Sequence, residues 1–206
     1  MSEGRKTHWQ RIYAEKRPTE VSWHEPIPEK SLQLIRSTGV ARHEPILDAG
    51  GGASTLVDHL LAEGYTDVSV LDVSRTALEH SRARLAESAV RVDWIESDVT
   101  EFEPSRKYAL WHDRAVFHFL TESAERDKYI EVSYRALRPK GHLVLATFGP
   151  GGPERCSGLE ICRYGVEELQ DLFGVRFTLR RHELDEHRTP MGSTQQFLYS
   201  WWQGVA

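Results

Sequence analysis

The 206-residue chain holds only two cysteines, Cys156 and Cys162. Two are too few to staple a chain of this length, which excludes a disulfide framework and reads as free thiols in a reducing, cytoplasmic setting. They do not form C-x-x-C. His182-Glu183 with His187 spells H-E-x-x-x-H, one residue too long for the two histidines of a zinc signature to share a helical face, so no metal is expected. No apolar run approaches the roughly 18 residues that cross a bilayer. Positive charge is in deficit, with 26 Lys and Arg against 31 Asp and Glu for a net charge of -5. The chain as a whole gives no electrostatic case for nucleic acid or an anionic membrane as partner. Met1 to Lys6 lack the apolar core of a signal peptide, and the acids of the first 30 residues speak against a transit peptide. Internal repeats and low-complexity segments are also missing.

What is present suits one globular domain over residues 1–206: hydrophobic residues make up 39% and charged residues 28%. The first 30 residues are polar but punctuated by Trp9, Tyr13 and Trp23, and Lys30–Ser37 reads as a short helix. Strand and helix then alternate. The strands are expected at Pro45–Asp48, Val68–Asp72, Val90–Ile95, Tyr108–His112 and His142–Thr147. The helices are expected at Ala53–Gly64, Ser74–Glu87, Thr121–Leu137 and Val166–Phe173. Such alternation means a parallel sheet covered on both faces. The end breaks the rhythm: Val175, Phe177 and Leu179 alternate with polar residues, and Gln195–Trp202 is a second strand with no helix between. Adjacent strands without a crossover helix pair antiparallel. The longest loop, Phe148–Arg163, is rich in glycine and proline, a length associated with function.

The first strand runs into Asp48-Ala49-Gly50-Gly51-Gly52-Ala53-Ser54. Glycines let the backbone turn tightly and approach a ligand, and the next helix points its N-terminus there. A dinucleotide fingerprint needs a third glycine where Thr55 stands. An acid directly before the glycines repels pyrophosphate but suits a cation. S-adenosylmethionine carries a sulfonium and an ammonium and no phosphate. Asp72 ends the second strand, 24 positions after Asp48, where an acid accepts from ribose hydroxyls, with Val73 beside it. Asp98, after the third strand, is placed to accept from an adenine amino group, with Val99 against the ring. Each acid alone also suits a turn or a helix N-terminus.

Taken in order over residues 44–148, these sites resemble the class I methyltransferase superfamily, and Gly141 after Leu137-Arg138-Pro139-Lys140 resembles it too. The Trp9-Gln10-Arg11-Ile12-Tyr13 stretch with Ser22-Trp23-His24 looks like the start of the thiopurine-methyltransferase-like and lysine-methyltransferase-like branches. The resemblance implies a Rossmann-like α/β fold with a seven-stranded, mostly parallel sheet and a C-terminal antiparallel hairpin. It implies a cap or lid in residues 1–40, a cofactor core in 44–148, and an acceptor loop with the hairpin in 149–206. The donor is then S-adenosylmethionine and the product S-adenosylhomocysteine. Asp48, Ala49, Gly50, Gly52, Ser54, Asp72, Val73, Asp98 and Val99 are its expected contacts, with Trp23 capping the cation and His112 beside it.

The fourth strand leads into His112-Asp113-Arg114, with His118 just beyond. Ligands in such sheets sit past the carboxyl ends of the strands, so these residues lie where a methyl acceptor approaches. His112, Asp113 and His118 are candidates for a base or for orienting the acceptor; a structural network is the competing reading. Arg114, Arg155, Cys156, Arg163 and Tyr164 are candidate acceptor contacts. The acceptor is expected to be a small molecule with a thiol, amine or carboxylate nucleophile, with a protein lysine as the alternative. A nicotinamide-dependent reductase predicts a third glycine and a Tyr-x-x-x-Lys donor that do not appear. A module that binds the cofactor without turnover is the remaining rival.

Overall fold

In a computed structural model that describes residues 2–205, the chain forms one seven-stranded sheet with helices on both faces. The strands are β1 (Ile46–Ala49), β2 (Val68–Asp72), β3 (Val92–Glu96), β4 (Tyr108–Arg114) and β5 (Leu137–Phe148), then a small hairpin of β6 (Arg155–Cys156) and β7 (Leu159–Glu160), then β8 (Phe177–Arg188) and β9 (Thr194–Gly204). The order across the main sheet is β3-β2-β1-β4-β5-β9-β8. β1 to β5 run parallel, and β9 joins β5 and β8 antiparallel. The helices are α1 (Ser2–Glu15), α2 (Glu29–Ser37), α3 (Leu56–Ala62), α4 (Arg75–Leu85), α5 (Ser123–Ala136) and α6 (Val166–Phe173). None of the described helices is long and apolar enough to cross a membrane.

Period-two alternation sorts the core. Leu110, Val144 and Ala146 pack with α2 and α3 residues such as Leu34, Ile35, Leu56 and Leu60. Trp111, Leu143 and Leu145 face the other way, toward Tyr129 and Ile130 of α5 and Leu169 and Phe173 of α6. The chain winds outward from β1 to β3 and then returns to β4 on the other side of β1. That reversal opens a crevice beyond the carboxyl ends of β1 and β4.

Several elements differ from the sequence reading, among them β5, which starts at Leu137 and not at His142, and α3, which starts at Leu56 and not at Ala53. α1 was not foreseen, because its sequence lacks a continuous apolar stripe; it is held by side-chain contacts to α4 and to the crevice. Residues 86–91 form a 3-10 turn and Val90 is exposed, so β3 starts at Val92. β4 continues past His112 to Arg114, because β5 extends far enough to pair it. β8 begins at Phe177, leaving Val175 exposed, and runs to Arg188 rather than stopping near Arg180.

Candidate active site

Beyond the ends of β1, β2 and β4 lies a cleft of about 1210 Å³, counted out to its open mouth. Its floor is the turn after β1. Gly50 takes φ +72°, and a Cβ there would stand 1.9 Å from Val116 Cγ2. A Cβ on Gly51 would stand 2.2 Å from Asp48 Oδ2. The turn is therefore closed to side chains by its own packing, and the cleft reaches backbone.

Asp48 is buried and its Oδ1 accepts from His112 Nδ1 at 2.7 Å, across the β1–β4 register that places the two residues side by side. His112 Nε2 in turn meets Ser31 Oγ of α2 at 2.8 Å. A carboxylate can only accept, so Nδ1 carries a proton, while the serine hydroxyl can serve Nε2 as donor or acceptor. Both ring nitrogens are engaged. Asp48 Oδ2 is buried without a hydrogen-bond partner. An unpaired carboxylate oxygen in a cleft is costly unless a donor arrives, which fits a cationic ligand group.

Asp72 Oδ1 accepts from the Ser74 amide at 2.7 Å, and Ser74 Oγ caps α4 by accepting from Ala77 N. Burial pushes the Asp72 carboxyl up to about 7, with the charge of Asp48 adding to it and backbone amides pulling back. Asp98 holds its own turn through Thr100 N at 2.9 Å and Oγ1 at 2.7 Å. Both of its oxygens also accept from Arg5 of α1, at 3.1 and 2.9 Å. α1 is thus fastened across the adenine end. Arg5 reaches on to Glu125 at 2.5 Å, and Gln10 Oε1 accepts from Ser74 Oγ and Thr76 N. Trp9, Tyr13 and Trp23 form a contiguous aromatic roof, with Trp9 and Trp23 edge to face at 5.7 Å.

Of the donor contacts expected from sequence, Trp23, Asp48, Gly50, Ser54 and Asp72 line the cleft. So do Val73, Asp98, Val99 and His112. Ala49 and Gly52 do not line it; they shape the turn from behind, a Cβ on Gly52 meeting Asp72 Oδ2 at 2.4 Å.

The titratable cluster after β4 is not a cluster in space. Asp113 alternates to the opposite face of the sheet and is fully buried. It accepts from Tyr129 Oη at 2.6 Å and from the amides of Val116 and Phe117. Burial raises its carboxyl to about 6. His118 lies behind the cleft wall, stacked on Phe148 at 4.4 Å, with Nδ1 accepting from the Phe148 amide. Burial, helped by Arg114, lowers its imidazole to about 3 and keeps it neutral. Neither residue lines the cleft.

Of the expected acceptor contacts, Arg114 and Cys156 line the cleft. Burial raises the Cys156 thiol. Arg155, Arg163 and Tyr164 do not line it. Arg155 bonds Gly158 O, Arg163 pairs with Glu154, and Tyr164 is buried against Phe117. Sequence reasoning missed His24 and Glu25 on the acceptor wall, Ser31 behind His112, and Arg5 at the adenine end. The Ser22-Trp23-His24 stretch was the available signal for the first two.

Residues 46–141 match the family model of a methyltransferase domain. No curated protein matches. Among solved structures, the chain is similar to the N-methyltransferase NodS from Bradyrhizobium japonicum in complex with S-adenosyl-L-homocysteine, at 16% identity, covering 98% of each chain with a TM-score of 0.75. It is similar to the 1,6-didemethyltoxoflavin N1-methyltransferase of Burkholderia thailandensis with bound 1,6-didemethyltoxoflavin and S-adenosylhomocysteine. There the identity is 17%, coverage 98% of this chain and 85% of that one, and the TM-score 0.71. A methyltransferase from Anabaena variabilis gives 15%, 98% and 94%, and 0.75. These likenesses show the fold. With the family model over residues 46–141, from β1 into β5, this part of the chain is a methyltransferase domain of class I fold, with S-adenosylmethionine as methyl donor.

Proposed function

We propose that the enzyme methylates a small molecule, and that the donor is held by the carboxylates of Asp48, Asp72 and Asp98 around the glycine turn. The observation that carries the acceptor reading is the roof: α1, with Trp9 and Tyr13, and the segment around Trp23 close over the cleft. An extended protein segment has less room there than a compact nucleophile. NodS is named an N-methyltransferase, and the Burkholderia enzyme holds 1,6-didemethyltoxoflavin, which supports a small acceptor. A protein lysine is the second reading, supported only by the resemblance of the N-terminal segment to that branch.

S-adenosylmethionine supplies an activated methyl on a sulfonium, so the protein's task is alignment and exclusion of water, worth roughly 7–11 kcal/mol. Asp48, aimed by His112, takes the donor's ammonium. Asp72 takes the ribose hydroxyls as a carboxylate. Val99 packs against the adenine, and Trp23 stands over the donor's cation. His112 has no free nitrogen to offer the acceptor and acts through Asp48. Arg114, Cys156 and Phe148 form the acceptor end with Glu25 and His24. His24 is neutral there, burial and the nearby Arg84 lowering its imidazole. The test is calorimetry with S-adenosylmethionine, S-adenosylhomocysteine and NAD, followed by a screen of thiols, amines and carboxylates, with histone-like lysine peptides as control. Micromolar NAD binding without binding of S-adenosylhomocysteine overturns the donor site, and transfer to peptides alone overturns the small acceptor.

A further inference from the structure

The acceptor wall is a strap of residues 22–26 without regular secondary structure, and its backbone carbonyls are tied to three elements, β8, β4, and α3 with its N-cap Thr55. Ser22 O meets His187 Nε2 of β8 at 2.7 Å. Trp23 O accepts from Arg114 Nη1 of β4 at 2.9 Å. Glu25 O accepts from Thr55 Oγ1 at 2.8 Å, and Pro26 O meets His59 Nε2 of α3 at 3.0 Å. The Glu25 carboxylate joins two of these ties. Its Oε1 stands 3.0 Å from Arg114 Nη2 and 3.3 Å from His187 Nδ1. Arg114 is fixed from behind by Tyr199 Oη at 2.9 Å and lies over the Phe197 ring.

The partners of His187 decide its state. A backbone carbonyl and a carboxylate both only accept, and they stand against the two ring nitrogens. Only an imidazolium donates to both. Glu25 is a carboxylate in this setting. Burial works to raise it, but the His187 contact and the charge of Arg114 bring it below its ordinary value. Around the ring, Glu25 and His24 face it from the strap and Arg114 from β4. The Phe197 ring meets it edge on at 6.0 Å from β9. On its own strand, Asp185 and Glu183 project to the same face and are paired with Lys30 of α2.

We propose that His187 is a positioning residue for methyl transfer: as an imidazolium it clasps the strap through Ser22 and Glu25, and so sets the wall that Trp23, His24 and Glu25 present to the acceptor. The inference rests on the reading of the strap as acceptor wall. It carries a sign. The clasp needs the imidazolium, the form that acid favours, because a neutral ring must leave one acceptor unserved. Donor binding depends on His187 far less, since the Asp48, Asp72 and Asp98 contacts come from β1, β2 and β3 and only Trp23 of the strap is read as reaching the donor.

The experiment compares the wild type with His187→Gln, both saturated with S-adenosylhomocysteine, at about pH 6 and about pH 8, the span over which histidines titrate. Amide exchange over residues 21–26, corrected for the intrinsic pH dependence, is expected to quicken in the wild type by up to tenfold per pH unit, the limit for one coupled proton. In His187→Gln it is expected to be fast and flat. Ring ¹⁵N shifts of the wild type supply a measurement independent of the variant, with both nitrogens protonated at the lower pH. With an acceptor from the screen, the wild-type acceptor KM is expected to rise with pH relative to that of His187→Gln, while affinity for S-adenosylhomocysteine differs far less between the two. A neutral ring at the lower pH overturns the clasp, and so does an equal pH response in the variant. A strap that loosens with pH while the two acceptor KM profiles coincide overturns the positioning role and marks the acceptor-wall reading as the part that failed.

Discussion

The two ends of the cleft are built in opposite ways. The end proposed for the donor is assembled from short, consecutive pieces: Asp48 in β1 with the glycine turn that follows, Asp72 closing β2, and Asp98 after β3. Each acid sits at the carboxyl end of a parallel strand, and strand geometry alone puts them in a row. The acceptor end is assembled from distant pieces: the strap at 22–26, Arg114, Cys156, and His187 with Tyr199 from the terminal hairpin. The tie between Ser22 and His187 spans 165 positions. The donor end is thus a property of the repeating β-α unit. The acceptor end depends on how that unit is finished at both termini.

Substitutions in the donor end are expected to act on affinity far more than those at the other end. Gly51→Val places side-chain atoms where Asp48 Oδ2 stands. It is expected to lower affinity for S-adenosylhomocysteine by more than about 100-fold, the loss of a charge-assisted contact plus the steric displacement. Calorimetry reads this, and near-normal affinity would show that the carboxylate is not the contact.

Asp72→Asn is expected to cost about 2–4 kcal/mol of donor affinity, through the loss of charge-assisted hydrogen bonds. The same variant should be more heat-stable than the wild type at alkaline pH. The sign follows from burial: the folded carboxyl is pushed up to about 7, well above its ordinary value of 3.8. Between those values the folded state keeps a proton that the unfolded state has lost. Wild-type stability from this group is therefore present below about 4 and declines as pH rises through about 7. Thermal melts of both proteins without ligand at pH 5 and pH 8 check it; a wild type that gains relative to the variant on going to alkaline pH contradicts it.

Asp113→Asn sharpens the comparison from the opposite face of the sheet. Its carboxylate serves Tyr129 and two amides in the core. The expected result is a loss of about 2 kcal/mol of stability with donor affinity changed less than threefold. A drop in donor affinity matching that of Asp72→Asn would contradict the separation of the faces.

The smallest effects concern the roof and the outer loop. Adding S-adenosylhomocysteine is expected to slow amide exchange in residues 8–26, because α1 and the strap cover the donor. Equal exchange with and without the ligand would make them a rigid cap. Arg155→Ala and Arg163→Ala are expected to leave methylation within about twofold, surface pairs of this kind being worth little.

The donor end was legible because its signals are local. Asp48 before three glycines and Asp72 ending an apolar strand need no partner to be read. The cluster His112-Asp113-Arg114-His118 misled because adjacency in a strand means opposite faces: His112 meets Asp48, and Asp113 turns to Tyr129 on the other side. His187 was noticed only for a zinc spacing it does not satisfy, since its true partners lie at the other end of the chain. α1 escaped notice because its contacts are Arg5 to Asp98 and Gln10 to Ser74 and Thr76, polar ties that leave no hydrophobic period.

The sequence by itself determined the alternating α/β core, the glycine turn, and the row of acids proposed to receive S-adenosylmethionine. Those follow from hydrophobic period, chain reversal and charge, which act over a few residues. Only the tertiary structure decided that both nitrogens of His112 are engaged, which face Asp113 takes, and that Arg114, Glu25 and His187 meet around the strap. These depend on strand register and on the return of β8 and β9 to the edge of the sheet, where residues from both ends of the chain are brought within hydrogen-bond reach.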